Sequence, residues 1–335
     1  LMRWIGIFGN RKFVGDPAVV MQMKRVVERG NVLVIYPEAR FSLCGTTAVL
    51  PESLGKMIKM FNVPVLTMIS HGHHINQPTW NQWKDRGVKG LRSDISLFLD
   101  KEDIESLETD EINERLVEAF QYDDFAWQKE HNIVIDAKDR AEGLHRLLYQ
   151  CPHCGKEFDM SSKGTILKCD ACGKEWEMTE LGELKAKEGE TEFSHIPDWY
   201  EWQRSNVRKE IENETFSIGP IAAKVESLPN ASKWIDIGTA KVSQDMDGFK
   251  CILDDPSKSD ISEIVRKPLD NYSAHIEYMY RKKPLECLDL STKTDTWFIY
   301  PIVDHFSVTK FAIATEELFQ YNKKKLGKPI KKGLA

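Results

Sequence analysis

Apolar residues recur three and four positions apart after Asp16-Pro17: Val19, Val20, Met23, Val26 and Val27. That spacing predicts one helix. Asp16 suits its N-cap, Pro17 its first position and Gly30 its end. Val32-Leu33-Val34-Ile35-Tyr36 follows without alternation. Such a run predicts a strand buried on both faces, ended by Pro37, which has no N–H for a ladder. A second helix opens near Pro51, with Leu54, Met57, Ile58 and Phe61 on one face read as core, and Val63 to Ser70 reads as another buried strand. Helix and strand in alternation predict a mainly parallel sheet with helices on its faces. Ser93 to Phe98 alternates as a strand, and Thr109-Asp110-Glu111 opens a third helix carrying Ile112, Leu116 and Phe120.

The texture changes further along. Leu184 to Glu192 is polar and charged, which predicts a linker. A helix is expected from Ile196 to about Glu212, its Trp199, Tyr200 and Trp202 packing between domains in preference to a membrane interface. Runs near 217–226, 234–243, 248–253, 261–266, 273–280, 285–290 and 296–303 read as strands, with turns at Asn230-Ala231, Asp247-Gly248 and Asp270-Asn271. Phe306 to Tyr321 reads as a closing helix built on Phe311, Ala312, Thr315, Leu318 and Phe319. Seven strands and a closing helix resemble a pleckstrin-homology-like barrel; a small β-sandwich shares the pattern. Lys323, Lys324, Lys325, Lys328, Lys331 and Lys332 then read as a solvated tail or as contacts to an anionic membrane surface.

At 335 residues the chain has room for two or three domains. A net charge of −6 argues against a nucleic-acid binder. No stretch approaches the roughly 20 apolar residues that cross a bilayer, and no secretory signal opens the chain. The chain starts inside what reads as a domain, so further residues are expected upstream of Leu1.

The strongest chemical signal is Cys151-Pro-His-Cys154-Gly155 and Cys169-Asp-Ala-Cys172-Gly173, with fourteen residues between the pairs. Each pair sets two thiolates on one knuckle, and four thiolates in a tetrahedron make a closed structural Zn²⁺ site. His153 is then a spectator. Glu157, Asp159, Asp170, Glu175 and Glu177 make this ribbon too acidic for a phosphate backbone, so no nucleic-acid partner is expected. Cys44, Cys251 and Cys287 read as buried spectators. His71-Gly72-His73-His74 reads as a loop on the rim of a site more than as a metal site. Glu38 and Arg40 leave the expected strand 32–36 two residues apart, an acid and a base that can share one substrate or form a surface ion pair.

Tyr36-Pro37-Glu38-Ala39-Arg40-Phe41-Ser42 resembles the Phe-Pro-Glu-Gly-Thr-Arg-Ser block of the glycerolipid acyltransferase family, which includes the lysophosphatidic acid acyltransferases. Ala39 stands where glycine is usual, and Arg40 follows it without an intervening residue. Gly6-Ile7-Phe8-Gly9-Asn10-Arg11 resembles the family block that ends in a phosphate-binding arginine, and Val63-Pro64-Val65-Leu66 the strand that closes the site. The resemblance covers roughly the first 75 residues and implies an α/β fold. The expected order is an acyltransferase-type mixed sheet with flanking helices over 1–147 and the zinc ribbon over 148–182. A linker and helix over 183–215, a β-rich domain over 216–322 and a basic tail over 323–335 follow.

The activity implied is transfer of a fatty acyl group from a thioester, acyl-CoA or acyl carrier protein, to a glycerolipid acceptor such as lysophosphatidic acid. The setting implied is cytoplasmic and peripheral at a membrane. Glu38 is assigned to the acceptor's hydroxyls; Arg11, Lys12 and Arg40 to its phosphate. The family's catalytic His-x4-Asp block is expected upstream of Leu1, since His131 and Asp136 match it in spacing but follow the other blocks. The alternative is a binding or scaffold protein built on an acyltransferase remnant.

Overall fold

The computed structural model describes Gly6, Ile7, Gly9, residues 11–282 and residues 285–335; Phe8 and Asn10 of the first block lie outside it. Helix α1 (Pro17–Glu28) starts as its sequence dictates, with the Asp16 carboxylate accepting from the Ala18 N–H at 2.9 Å. It buries only Val19. The expected strand 32–36 is not formed: Val32, Val34 and Tyr36 are 88%, 67% and 81% exposed. An apolar run becomes a buried strand only where another strand offers a ladder, and none of the described strands lies beside this one.

Helix α2 (Ser53–Phe61) leads to strand β1 (Val65–His71) and the one-turn helix α3 (His73–Asn76). Strand β2 (Arg92–Leu99) pairs with β1 antiparallel, and the two make a sheet of their own. The parallel sheet expected for this region is therefore absent among the described residues. The inner position of β1 is Thr67, while Leu66, Met68, Ile95 and Leu97 face outward at 51–65% exposure. Helices α4 (Lys101–Ser106) and α5 (Thr109–Ala119) pack on α2 around Leu54, Ile58, Ile104 and Ile112. Met57 joins that core rather than lining a groove. Gly55 is required at the crossing. Its N–H donates to Asn113 Oδ1 at 2.9 Å, and a Cβ there would stand 2.7 Å from the Thr109 carbonyl oxygen.

Helix α6 (Asp124–Glu130) precedes a ribbon of four antiparallel strands: β3 (Met160–Lys163), β4 (Ile166–Cys169), β5 (Glu175–Met178) and β6 (Leu184–Ala186). The expected linker at 184–192 thus begins as the ribbon's last strand, with Leu184 opposite Met178. Its polarity was misleading because an edge strand exposes one face. Helix α7 (Ile196–Glu212) buries Ile196, Trp199, Tyr200, Val207 and Ile211, so Trp199 and Tyr200 pack inside the protein, and Trp202 packs half-buried beside them. Trp199 meets Trp176 of the ribbon edge-to-face at 5.0 Å.

The remaining strands are β7 (Ser217–Ser227), β8 (Ile235–Asp245), β9 (Gly248–Leu253), β10 (Glu263–Arg266), β11 (His275–Glu277), β12 (Cys287–Ser291) and β13 (Thr296–Pro301). They form one antiparallel sheet in the order β10-β9-β8-β7-β13-β12-β11. Helix α8 (Val308–Lys325) closes it, with Phe311 against Phe249 at 5.3 Å. The architecture is mixed α/β, and one hydrophobic core runs from the ribbon through α7 to this sheet and α8. No helix among the described residues is long and apolar enough to cross a membrane.

The lysine cluster is not a free tail. Lys323 Nζ lies 2.8 Å from Glu52, Lys325 Nζ 2.8 Å from Glu214, and Lys331 Nζ 2.8 Å from Glu114. Leu334 is buried beside Leu50, whose N–H donates to the Gly333 carbonyl at 2.9 Å. Pairing with acids holds Lys323, Lys325 and Lys331 against the protein and burial holds Leu334, while Lys324, Lys328 and Lys332 are exposed.

Candidate functional site

The Tyr36–Ser42 block is a turn, and its two charged side chains fold inward. Arg40 Nη2 lies 2.8 Å from Glu316 Oε1 on α8, and its Nε–H donates to Ser273 Oγ at 3.1 Å. Arg204 of α7 reaches Glu316 Oε2 at 2.7 Å and Glu317 at 3.2 Å, and Arg208 reaches Glu317 at 2.7 Å. The Arg40 and Glu316 side chains are 5% and 4% exposed. Arg40 therefore ties the block to α7 and α8, and the phosphate role assigned to it is not supported by where it lies. Burial pushes the Glu316 carboxyl up, but Arg40 and Arg204 outweigh that and hold it at about 2.

Glu38 turns the other way. Its Oε2 accepts from the Ala48 N–H at 2.8 Å. Burial raises its pKa above the usual carboxylate value, against the Ala48 N–H and Arg40, which lower it. Between the two charges Ala39 sits at φ 56°. An L residue is strained there, which is a physical reason for glycine at this position. Ala39→Gly is expected to stabilise the protein by up to about 1 kcal/mol, read from denaturant midpoints.

Phe41 and Ser42 continue into the wall of a cavity of about 580 Å³. His73, His74 and Gln77 of the α3 region form a second wall. Asp124 holds this wall. Its carboxylate accepts from the N–H groups of Gly72, His74 and Ile75 at 2.6, 2.8 and 3.2 Å. Burial among Trp80 and Phe125 lowers His74 to about 3, so its ring is neutral at neutral pH.

The third wall, Glu277, Tyr280 and Arg281, comes from the β-rich part of the chain. Behind it His275 Nδ1 meets Asp289 Oδ1 at 2.8 Å. Lys12 approaches here, its Nζ 5.8 Å from the Phe41 ring centre. Burial lowers its pKa, and Asp289 and Glu277 oppose that. Arg11 is half-buried in a turn, its carbonyl accepting from the Val14 N–H at 3.3 Å. The structure thus brings Phe41 and Ser42 of the block to the cavity wall, leaves Arg40 in a sealed network, and puts none of Arg11, Lys12, Glu38 and Arg40 among the lining residues. The third wall carried no sequence signal beyond a short alternating strand.

The four cysteines lie together. Their sulfurs are all within 4.8 Å of one another, and the Cys151–Cys172 and Cys154–Cys169 pairs are both 3.8 Å apart. Metal–sulfur bonds of about 2.3 Å in a tetrahedron give sulfur–sulfur edges of about 3.8 Å. The two knuckles repeat each other. Gly155 N–H donates to the Cys151 carbonyl at 2.9 Å and Gly173 N–H to the Cys169 carbonyl at 2.8 Å, with φ of 77° and 79° at the glycines. His153 points instead at Glu192, 3.3 Å away. Cys44, Cys251 and Cys287 are buried, which raises Cys44 to about 11 and Cys251 to about 12 and leaves them unreactive.

His131 ends α6 with its Nδ1 3.0 Å from the Trp127 carbonyl, and its ring stacks on Trp127 at 4.8 Å. Asp136 is exposed. The two make no hydrogen bond or ion pair with each other among the described contacts.

Comparison with known proteins finds no matching family model, no matching curated protein and no matching solved structure.

Proposed function

We propose that this chain belongs to an acyltransferase that moves a fatty acyl group from a thioester carrier, acyl-CoA or acyl carrier protein, to a hydroxyl of a glycerolipid-like acceptor at a membrane surface. The observation that supports this reading is the place of the Tyr36–Ser42 block, whose last two residues stand in the wall of the cavity of about 580 Å³. That volume suits a small-molecule headgroup. In this reading Glu38 orients acceptor hydroxyls, and Lys12 supplies positive charge near Phe41. In the family that the block resembles, a histidine takes the proton of the attacking hydroxyl. Cys151, Cys154, Cys169 and Cys172 hold Zn²⁺ as a closed structural shell, and the β-rich domain is of the pleckstrin-homology-like type.

Acyl transfer by the full natural protein, followed by mass spectrometry of the product, tests this. Glu38→Gln keeps an oxygen for the Ala48 N–H, so the fold should persist while turnover falls by about a hundredfold. A second reading, a scaffold without turnover, is favoured by the commitment of Arg40 to Glu316. It expects no acyl product from either protein.

A further inference from the structure

We propose that the cavity beside the Tyr36–Ser42 block binds an uncharged polyhydroxyl headgroup, of the glycosyl or glycerol type, rather than a phosphate. Its role as acceptor site rests on the acyltransferase reading; the binding does not.

Among the described residues, the wall's own carboxylate and guanidinium are Glu277 and Arg281. Glu277 stands in the wall, its Oε2 accepting from Gln82 Nε2 at 2.9 Å. Lys12 lies near the Phe41 ring, and the Asp289 and Glu277 charges oppose the lowering of its pKa by burial. Arg281 lies 3.3 Å from Glu226, with its guanidinium over the Trp234 ring at 4.9 Å. Lys282 lies over Trp83 at 5.4 Å. A phosphate needs an excess of cationic donors, and here it would meet the Glu277 carboxylate. Arg40, the block's own arginine, is sealed against Glu316.

Hydroxyl groups fit the same wall. A carboxylate accepts from them, and the amides of Gln77 and Gln82 both donate and accept. The flat faces of Phe41, Trp83 and Tyr280 suit the C–H face of a sugar or polyol. Two of these rings are held in place before any ligand arrives. Trp83 Nε1–H donates to the Met279 carbonyl at 2.7 Å, and Tyr280 stacks on Phe298 at 4.8 Å.

The test is calorimetric titration of the protein, without acyl donor, with three probes: octyl glucoside and octyl phosphate below their micelle concentrations, and methyl glucoside. Octyl glucoside is expected to bind about tenfold or more tighter than octyl phosphate at about 0.15 M salt. Glu277→Gln and Trp83→Ala should each weaken it about fivefold or more, with thermal melts showing both variants folded. Trp83 is 47% exposed, so its loss leaves the core intact. If methyl glucoside binds as tightly as octyl glucoside, the headgroup alone is recognised and a free sugar is the source; if the octyl chain is needed, the source is a lipid. Tighter binding of octyl phosphate, no binding of either glucoside, or wild-type binding by both variants overturns the proposal. Because no acyl donor is present, failure of acyl transfer leaves this result standing. Turnover of lysophosphatidic acid unchanged by Trp83→Ala would uphold the acyltransferase and overturn this headgroup.

Discussion

Glu316→Ala should cost about 3–5 kcal/mol of stability, the scale for removing one partner of a buried ion pair. Two guanidinium groups, Arg40 and Arg204, lie on the two oxygens of this one carboxylate at 2.8 and 2.7 Å. Without it both remain buried with their charge uncompensated. Arg40→Ala should be destabilising for the same reason, whereas an arginine kept free for a phosphate would be lost at little cost. The effect also has a pH signature. Glu316 is held at about 2, below its usual 4.5. A carboxyl depressed on folding contributes stability that is fully present above the unfolded value and is lost as pH falls through the folded one. The shift corresponds to about 3 kcal/mol, lost between pH about 4.5 and about 2. Denaturant titrations at pH 7 and pH 3 should show about 2 kcal/mol of that loss in the wild type, the rest falling below pH 3. In Glu316→Gln the drop should shrink. An unchanged drop would assign the acid sensitivity to other carboxylates.

The strands from Ser217 to Pro301 were legible because strands such as β9, which buries Phe249, Cys251 and Leu253, carry apolar residues at every second position, and turns such as Asp247-Gly248 punctuate the sheet. The four cysteines were legible because knuckle chemistry is local: each half is complete within six residues, Cys151 to Lys156 and Cys169 to Lys174. The run Val32 to Tyr36 misled because burial depends on what lies beside a strand, and its sequence carries no record of that. Arg40 misled for a related reason. Its partner Glu316 is 276 positions away, and nothing near Arg40 announces it. One signal was present at the other end. Glu316 falls four residues after Ala312, on the face of α8 that packs inward, and an acid on such a face needs a buried cation. The cavity was least legible, since its walls come from three separate stretches and each reads alone as an ordinary loop or strand end.

Cys169→Ser should release one metal ion per chain and soften more than the ribbon. The sulfur of Cys169 is buried, and its carbonyl and N–H fasten the second knuckle to Gly173 and Lys174 at 2.8 and 2.9 Å. Metal binding to four thiolates is worth about 10–16 kcal/mol in zinc-finger peptides, and a serine hydroxyl does not replace a thiolate. The ribbon's strands are short and bury one small layer, Met160, Leu167, Trp176, Met178, Leu184 and Ala186, so without metal only that layer holds them. Those residues share one core with Trp199 and Tyr200 of α7. Loosening should therefore reach the start of α7, where Trp176 and Trp199 touch at 5.0 Å, and shift tryptophan fluorescence to the red. Leu50, Leu54, Ile112 and Leu334 belong to a separate cluster and should stay protected. Metal analysis with hydrogen exchange by peptide reads both effects. Zinc at about one per chain in the wild type, absent in Cys169→Ser, with exchange rising over 150–200 and not over 50–61 or 99–119, is the expected outcome. Wild-type protein that carries no metal when purified without chelator, or a serine variant that melts as the wild type does, would remove the metal from the account of this fold.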